Sequence, residues 1–247
     1  LESMKDVPEK YLSEAYRNVY EYLFTMHEVT NRNLEMLIDS NGMFRMTDTD
    51  SEQPFRVMQL TDIHITGSDT NYQKDIQAID AVYELIQRCT PDFIVMTGDV
   101  IFGTEETATS DGLRAMDLVS RLMDRIGIPW TWTFGNHDHD LMDRFSSAEI
   151  APILAQCKTL RVYTKQDQIT GYTNGVFQLC DDQNALTMAL ILIDSNDLLY
   201  NEQKERIGYD YIHDDQCEWF VSQIEKLRDI YGQDPENMLL FHIPVKE

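Results

Sequence analysis

The sequence predicts an α/β fold, and three observations lead there. Short apolar runs alternate with segments of helical periodicity along most of the 247 residues. One of those runs, Phe93–Met96, is apolar throughout, as strands covered on both faces are, and Leu186–Ile193 is the most apolar run in the chain. Four runs end on side chains of metal-ligand type, and open α/β sheets bind their ligands beyond the carboxyl ends of the strands.

Composition narrows the function classes. An apolar fraction of 43% and an aromatic fraction of 10% belong to a globular chain with a substantial core. No apolar run reaches the roughly 18–20 residues of a membrane helix, and the first residues carry no signal-peptide pattern. The chain opens on Leu1, so an upstream segment is expected to have been removed, and the compartment stays open. A net charge of −23 repels nucleic acid and anionic membrane surfaces. It is compatible with a phosphate substrate where bound cations reverse the local field. Cys89, Cys157, Cys180 and Cys217 show no C-x-x-C spacing, which argues against a zinc knuckle or a redox pair. Oligomeric state is not legible.

Residues 8 to about 38 read as an amphipathic helix, with Leu12, Ala15, Tyr16, Val19 and Leu23 at helical spacing and Asn31–Asn33 as a candidate break. This gives an expected division into an N-terminal helical extension, 1–42, and a main domain, 43–247. Phe44–Met46 and Phe55–Leu60 flank a polar, Asp-rich turn and read as a β-hairpin whose second strand runs into Thr61-Asp62-Ile63-His64. Tyr72–Cys89 is a helix with Ile76, Ile79, Val82, Tyr83 and Ile86 on one face, stopped at Thr90-Pro91. The strand Phe93–Met96 delivers Thr97-Gly98-Asp99.

After a polar loop over 103–112, Leu113, Met116, Val119, Leu122, Met123 and Ile126 mark a helix that Gly127 ends. The run Ile128–Phe134 leads into Gly135-Asn136-His137-Asp138, and Ala148–Cys157 is a short helix. Short strands are expected over 160–180, then a core strand at Leu186–Ile193, then an irregular lid or rim segment to Tyr211. Asp214 and Asp215 open a helix with Cys217, Phe220, Val221, Ile224 and Leu227 inward, Asp215 and Glu218 having the spacing of a capping box. A last strand, Met238–Phe241, delivers His242.

The polar strand ends are thus Asp62 with His64, Asp99, Asn136 with His137, and His242. Carboxylate, imidazole and amide donors together suit first-row transition metals better than magnesium, which prefers oxygen and keeps its waters. The i, i+2 spacing of Asp62 and His64 places both on one face wherever the strand is still extended.

In this order, each behind a strand, the series Asp62-x-His64, Gly98-Asp99, Gly135-Asn136-His137-Asp138 and His242 resembles the calcineurin-like metallophosphoesterase superfamily. The stretches Gln59–Asp62, Gly98–Gly103 and Gln216–Phe220 look most like its purple-acid-phosphatase-like branch. The resemblance covers residues 43–247 and implies a β-sandwich of two mixed sheets flanked by helices. It further implies hydrolysis of a phosphomonoester or phosphodiester at two divalent or trivalent ions, with Mn, Fe and Zn the fitting elements. By position, Asp62 and His64 would hold one ion, Asp99 would bridge, and Asn136 and His242 would hold the second. His137 would protonate the leaving group and Asp138 would fix its tautomer. Phe102 stands where chromogenic members have a tyrosine, so no purple iron–tyrosinate centre is expected.

The family's closing Gly-His-x-His motif does not occur between His242 and Glu247, and no Gly in the chain precedes a His. The expectation is that the C-terminal part of the domain lies outside this sequence. The rival reading is a non-catalytic relative that keeps the fold as a binding or scaffold domain.

Overall fold

The computed structural model describes residues 3–29, 32, 34–48, 50, 53–102, 111–145, 147–162 and 166–245. Its helices are α1 (Glu14–Leu23), α2 (Tyr72–Cys89), α3 (Gly112–Ile126), α4 (Asn136–Arg144), α5 (Ser147–Gln156) and α6 (Asp214–Tyr231). The first five strands are β1 (Leu34–Ile38), β2 (Phe44–Asp48), β3 (Val57–Leu60), β4 (Phe93–Thr97) and β5 (Trp130–Thr133). The others are β6 (Gly175–Cys180), β7 (Leu186–Leu192), β8 (Leu198–Tyr200), β9 (Arg206–Tyr209) and β10 (Asn237–Leu240). The α/β class holds, with sheets flanked by helices, and no helix of the described residues is long and apolar enough to cross a membrane.

Residues 1–31, 57–131 and 137–161 make one unit; 32–56, 132–136 and 162–247 make the other.

One sheet has the order β3-β4-β5, with β3, β4 and the first two residues of β5 in the first unit. β3 and β4 are parallel, Leu60 beside Met96, so crossover helix α2 joins them as a βαβ unit requires. Ile79, Val82 and Ile86 form the buried face of α2, and Thr90 in left-handed conformation ends the helix before Pro91. α3 is capped by Asp111, which accepts from Arg114 N, and stopped by Gly127 at φ +84°. Every residue from Gly112 to Met123 is buried, polar ones included. The polar face of α3 is met by the N-terminal segment: Tyr20 Oη donates to Asp117 at 2.8 Å, Arg121 pairs with Asp117 at 2.8 Å, and Arg121 also donates to the Asp6 carbonyl at 2.9 Å. The first residues are thus built into this unit by matched polar pairs.

The expected helix over 8–38 is corrected. The α-helical stretch closes at Leu23, and Leu34–Ile38 is a strand antiparallel to β2, Ile38 opposite Phe44. Asp39 Oδ1 accepts from Asn41 N and Met43 N, with Gly42 at φ +76° closing the turn. The real hairpin is therefore β1–β2, and the expected pairing of 44–46 with 55–60 does not form. β2 instead runs parallel to β6, while β3 belongs to the other unit. Arg32 closes the Asp-rich segment, pairing with Asp48 at 2.6 Å and donating to the carbonyls of Asp50, Gln53 and Pro54.

The second unit holds a mixed sheet of order β1-β2-β6-β7-β10, with β7 antiparallel to β6 and parallel to β10. Its core gathers Met43, Val176, Cys180, Ala189, Ile191 and Leu227, against which Trp219, Phe220 and Ile224 of α6 pack. Cys217 and Val221, expected inward, are exposed. The expected Asp215–Glu218 capping box is also replaced. Gln216 Oε1 accepts from His213 N at 3.0 Å, while Asp215 Oδ2 accepts from the backbone and hydroxyl of Thr170. The segment read as an irregular lid contains the hairpin β8–β9, turned by Asn201, whose side chain accepts from Gln203 N and Glu205 N.

Candidate metal centre

Beyond the ends of β3 and β4 the two chains stay joined. Asp62 N donates to Gly98 O at 3.1 Å, His64 N to Asp99 O at 3.0 Å and Ile65 N to Val100 O at 3.0 Å. The backbone here is not extended. Asp62, His64 and Asp99 take φ of +56°, +55° and +50°, with Gly98 at +92°. The strand-face argument for Asp62 and His64 is thereby corrected, since left-handed turns and not the period of a strand bring them together. Left-handed backbone at a residue with a side chain costs about 1–3 kcal/mol, with Asp and His among the residues that tolerate it best. Three such residues are a sizeable fraction of the roughly 5–15 kcal/mol that stabilises a domain. What the strain achieves is placement: His64 Nε2 lies 3.7 Å from Asp62 Oδ1 and 3.3 Å from Asp99 Oδ2.

His137 reaches the same point from the first turn of α4. Its backbone N–H donates to Asp99 Oδ1 at 3.0 Å and its Nε2 lies 3.9 Å from Asp99 Oδ2. The amino end of a helix favours such a carboxylate. Asp99 is 4% exposed, and donor atoms of His64, Asp99 and His137 all fall within 4.8 Å of one another. Phe102 packs on both imidazoles, its ring 5.2 Å from that of His64 and 4.7 Å from that of His137.

Asp140 Oδ2 stands 3.2 Å from His137 Nδ1. Asp138 is fully buried and accepts from Ile101 N at 3.0 Å. Asp140 is thus a carboxylate in contact with the His137 ring, alongside the Asp138 expected in that role. Burial pulls the His137 pKa down, but the Asp140 hydrogen bond and the charges of Asp99, Asp140 and Asp138 outweigh it and leave it raised. Sequence reading missed Asp140 because it did not foresee α4; on a helix beginning at Asn136 the i, i+3 pair His137–Asp140 is legible.

Asn136 and His242, the remaining expected ligands, lie in the second unit. Asn136 is buried just after β5, where Phe134 N donates to Thr173 Oγ1 at 3.0 Å and Thr133 Oγ1 to the Ile193 carbonyl at 3.3 Å. His242 follows β10, and its neighbour Ile243 donates its N–H to Ser195 Oγ at 2.7 Å. The first unit alone thus brings together Asp62, His64, Asp99 and His137. A buried carboxylate facing two imidazoles, with a second carboxylate beside them, is a donor set that fits a divalent transition metal.

The family model for Calcineurin-like phosphoesterase matches residues 55–246. "Uncharacterized protein C1020.05" of Schizosaccharomyces pombe is 30% identical over 213 residues, 81% of this chain and 38% of that protein. "Probable inactive purple acid phosphatase 28" of Arabidopsis thaliana is 26% identical over 223 residues, 78% of this chain and 54% of that protein. The chain thus spans between about a third and about half of the length of these relatives. Among solved structures, a dimetal phosphatase from Danio rerio superposes with a TM-score of 0.54 at 16% identity, covering 78% of this chain and 70% of that one. That likeness bears on the fold, which is that of a metallophosphoesterase. With most of its length matched by the family model, the chain belongs to the calcineurin-like phosphoesterase family.

Proposed function

We propose that this chain provides the ion-binding core of a metal-dependent phosphoesterase that hydrolyses a phosphomonoester or phosphodiester with water as the nucleophile. The observation that carries the reading is the convergence of His64, Asp99 and His137 around strained left-handed backbone. Asp62 and His64 are proposed as ligands of one ion, Asp99 as the bridge, and Asn136 and His242 as ligands of a second. Bound there, two cations such as Mn, Fe or Zn supply Lewis acidity toward a phosphoryl oxygen and acidify water. The protein's own groups do the rest. Asp99 and Asp62 offset positive charge, and Phe102 limits the ring rotations of His64 and His137. Asp140 takes the hydrogen bond of Nδ1–H and its charge favours the imidazolium, whose Nε2–H is the proton delivered to the leaving oxygen.

The test is metal analysis of the full-length protein together with turnover of an aryl phosphate in added manganese, iron or zinc. Tightly held metal with turnover is the expected result, and absence of both overturns it. The Arabidopsis relative's name, "probable inactive", favours a second reading in which the ions are bound and no ester is cleaved. Stoichiometric metal without turnover of mono- or diesters would select that one.

A further inference from the structure

The run that leaves β7, Ile193-Asp194-Ser195-Asn196, is buried along its whole length, at 2%, 0%, 0% and 5% exposure. All but Ile193 are polar, and burying polar groups is unfavourable unless each finds a partner. The partners fall into two sets that do different things.

One set immobilises the run. Asp194 N donates to Asn174 Oδ1 at 3.1 Å, and Gln216 Nε2 donates to the Asp194 carbonyl at 2.6 Å and to Asn174 Oδ1 at 3.0 Å. Asp194 Oδ2 accepts from Tyr172 N at 2.7 Å and its Oδ1 from Asn196 N at 2.9 Å. Asn196 Nδ2 in turn donates to Gln216 Oε1 at 3.0 Å. The backbone at Gly171, with φ +87°, comes so close that a Cβ there would stand 2.7 Å from Asp194 Cβ. Buried and satisfied in this way, the run is a rigid platform.

The other set reaches toward the two residues proposed as ligands of the second ion, all within the second unit. The Ile193 carbonyl accepts from Thr133 Oγ1, at the end of the strand that leads to Asn136. Ile193 N donates to the Leu240 carbonyl at 3.0 Å, just ahead of His242, and Ser195 Oγ accepts from Ile243 N at 2.7 Å, just after it. Peptide groups are planar, so these two bonds fix the 240–241 and 242–243 planes. The backbone of His242 is held between them.

Ser195 is the separable member of the platform. Its hydroxyl takes no part in the Asp194–Gln216 network and, among the described residues, bonds the N–H of Ile243. We infer that Ser195 is a positioning residue for the second ion: its hydroxyl fixes the His242–Ile243 peptide, and with it the direction in which the imidazole meets the cation. Hydrogen-bonded supports of this kind change metal affinity by about 10- to 100-fold. The inference rests on the two-ion reading of the site.

Zinc would be titrated into the metal-stripped full-length protein in competition with a chromogenic chelator, giving two stepwise dissociation constants. His242→Ala marks which of the two belongs to the second ion. Ser195→Ala should raise that constant about 10- to 100-fold and leave the other within about threefold. Ser195→Thr, which keeps the hydroxyl, should restore it. Should Ser195→Ala fail to fold, Ser195→Cys, whose thiol is a weak acceptor of similar size, should raise the same constant at least about threefold. Ile191→Val, in the core of the same unit, is the control that lowers stability and moves neither constant. Two unchanged constants in Ser195→Ala overturn the inference and leave the two-ion reading standing. An equal rise in both does the same, since it marks a merely structural role. Wild-type protein that takes up fewer than two zinc ions overturns the two-ion reading, and the inference with it.

Discussion

Two aspartates of the first unit, Asp75 and Asp99, are alike in burial, at 1% and 4% exposure, and opposite in surroundings. Asp75 accepts from Thr66 N at 3.0 Å, Gly67 N at 3.1 Å, the Thr66 hydroxyl and the Tyr16 hydroxyl. All of these donors are neutral, and burial outweighs them to hold its carboxyl above the usual carboxylate range. Asp99 sits on left-handed backbone facing two imidazoles and one helix-end N–H. Asp75 is finished by the protein and ties α1 to the loop before α2. Asp99 is the acid proposed to hold a cation. Burial alone does not separate a structural acid from a functional one; the identity of its partners and the strain beneath it do.

The sharpest way to break that contrast is to neutralise each acid in turn. Asp99→Asn should abolish tight cation binding and slow ester turnover by at least about 100-fold, while urea unfolding of the metal-free protein changes by less than about 1 kcal/mol. Asp75→Ala should do the reverse. It strands Tyr16 Oη and two backbone N–H groups and should cost about 3 kcal/mol in urea, with activity per folded molecule retained. Equal stability losses in the two variants would erase the distinction.

Sequence legibility follows the same line. The residues of the candidate centre were readable, because Asp62, His64, Asp99 and His137 each follow an apolar run in sequence. The geometry that unites three of them was not, because φ near +55° leaves no periodic trace. α2, α3, β4 and β7 were legible because one period runs their whole length. The stretch 24–38 was not, since Leu34, Leu37 and Ile38 fit a helical spacing as well as a strand. The deciding signal was Asn41-Gly42, a hairpin turn of a kind local periodicity overlooks. On α6, Cys217 and Val221 read as core by type, yet buried Gln216 and Gln223 take the inward positions. There Gln216 bonds Asn174, Asp194 and Asn196, which a hydrophobicity pattern cannot register.

A smaller effect separates Asp140 from Asp138 on α4. Asp140→Asn removes the negative charge beside His137 Nδ1 and should slow phenyl phosphate by about 10- to 100-fold. With a 2,4-dinitrophenyl leaving group, which departs without a proton, the loss should stay within about threefold. Cation content should not change. An equal loss on both esters would show that Asp140 supports structure and not the proton donor.

Asp75 also predicts a pH effect. With its folded pKa raised above the unfolded one, the proton-bound native form is favoured. Its contribution is fully present below the unfolded value and is lost as pH rises through the folded one. The stability of wild type relative to Asp75→Asn should therefore fall with rising pH across that window, by no more than about 1.4 kcal/mol per pH unit for one proton. A difference that grows with pH would reverse the assignment.

The least effect, and the finest test, concerns the strain itself. Asp62 holds φ +56° with its side chain about half exposed, so glycine there relieves the backbone while removing little packing. Asp62→Gly should stabilise the metal-free protein by about 1 kcal/mol and weaken cation binding. Lys204 supplies the control: it holds φ +61° in the β8–β9 turn, exposed and remote in sequence from any proposed ligand. Lys204→Gly should give a similar gain, by differential scanning calorimetry, with cation affinity untouched. If both substitutions stabilise and only the first loses the ion, the left-handed turn at Asp62 is strain retained for a ligand. If Asp62→Gly destabilises the metal-free protein, the side chain at that position is holding the loop together, and Asp62 belongs with Asp75.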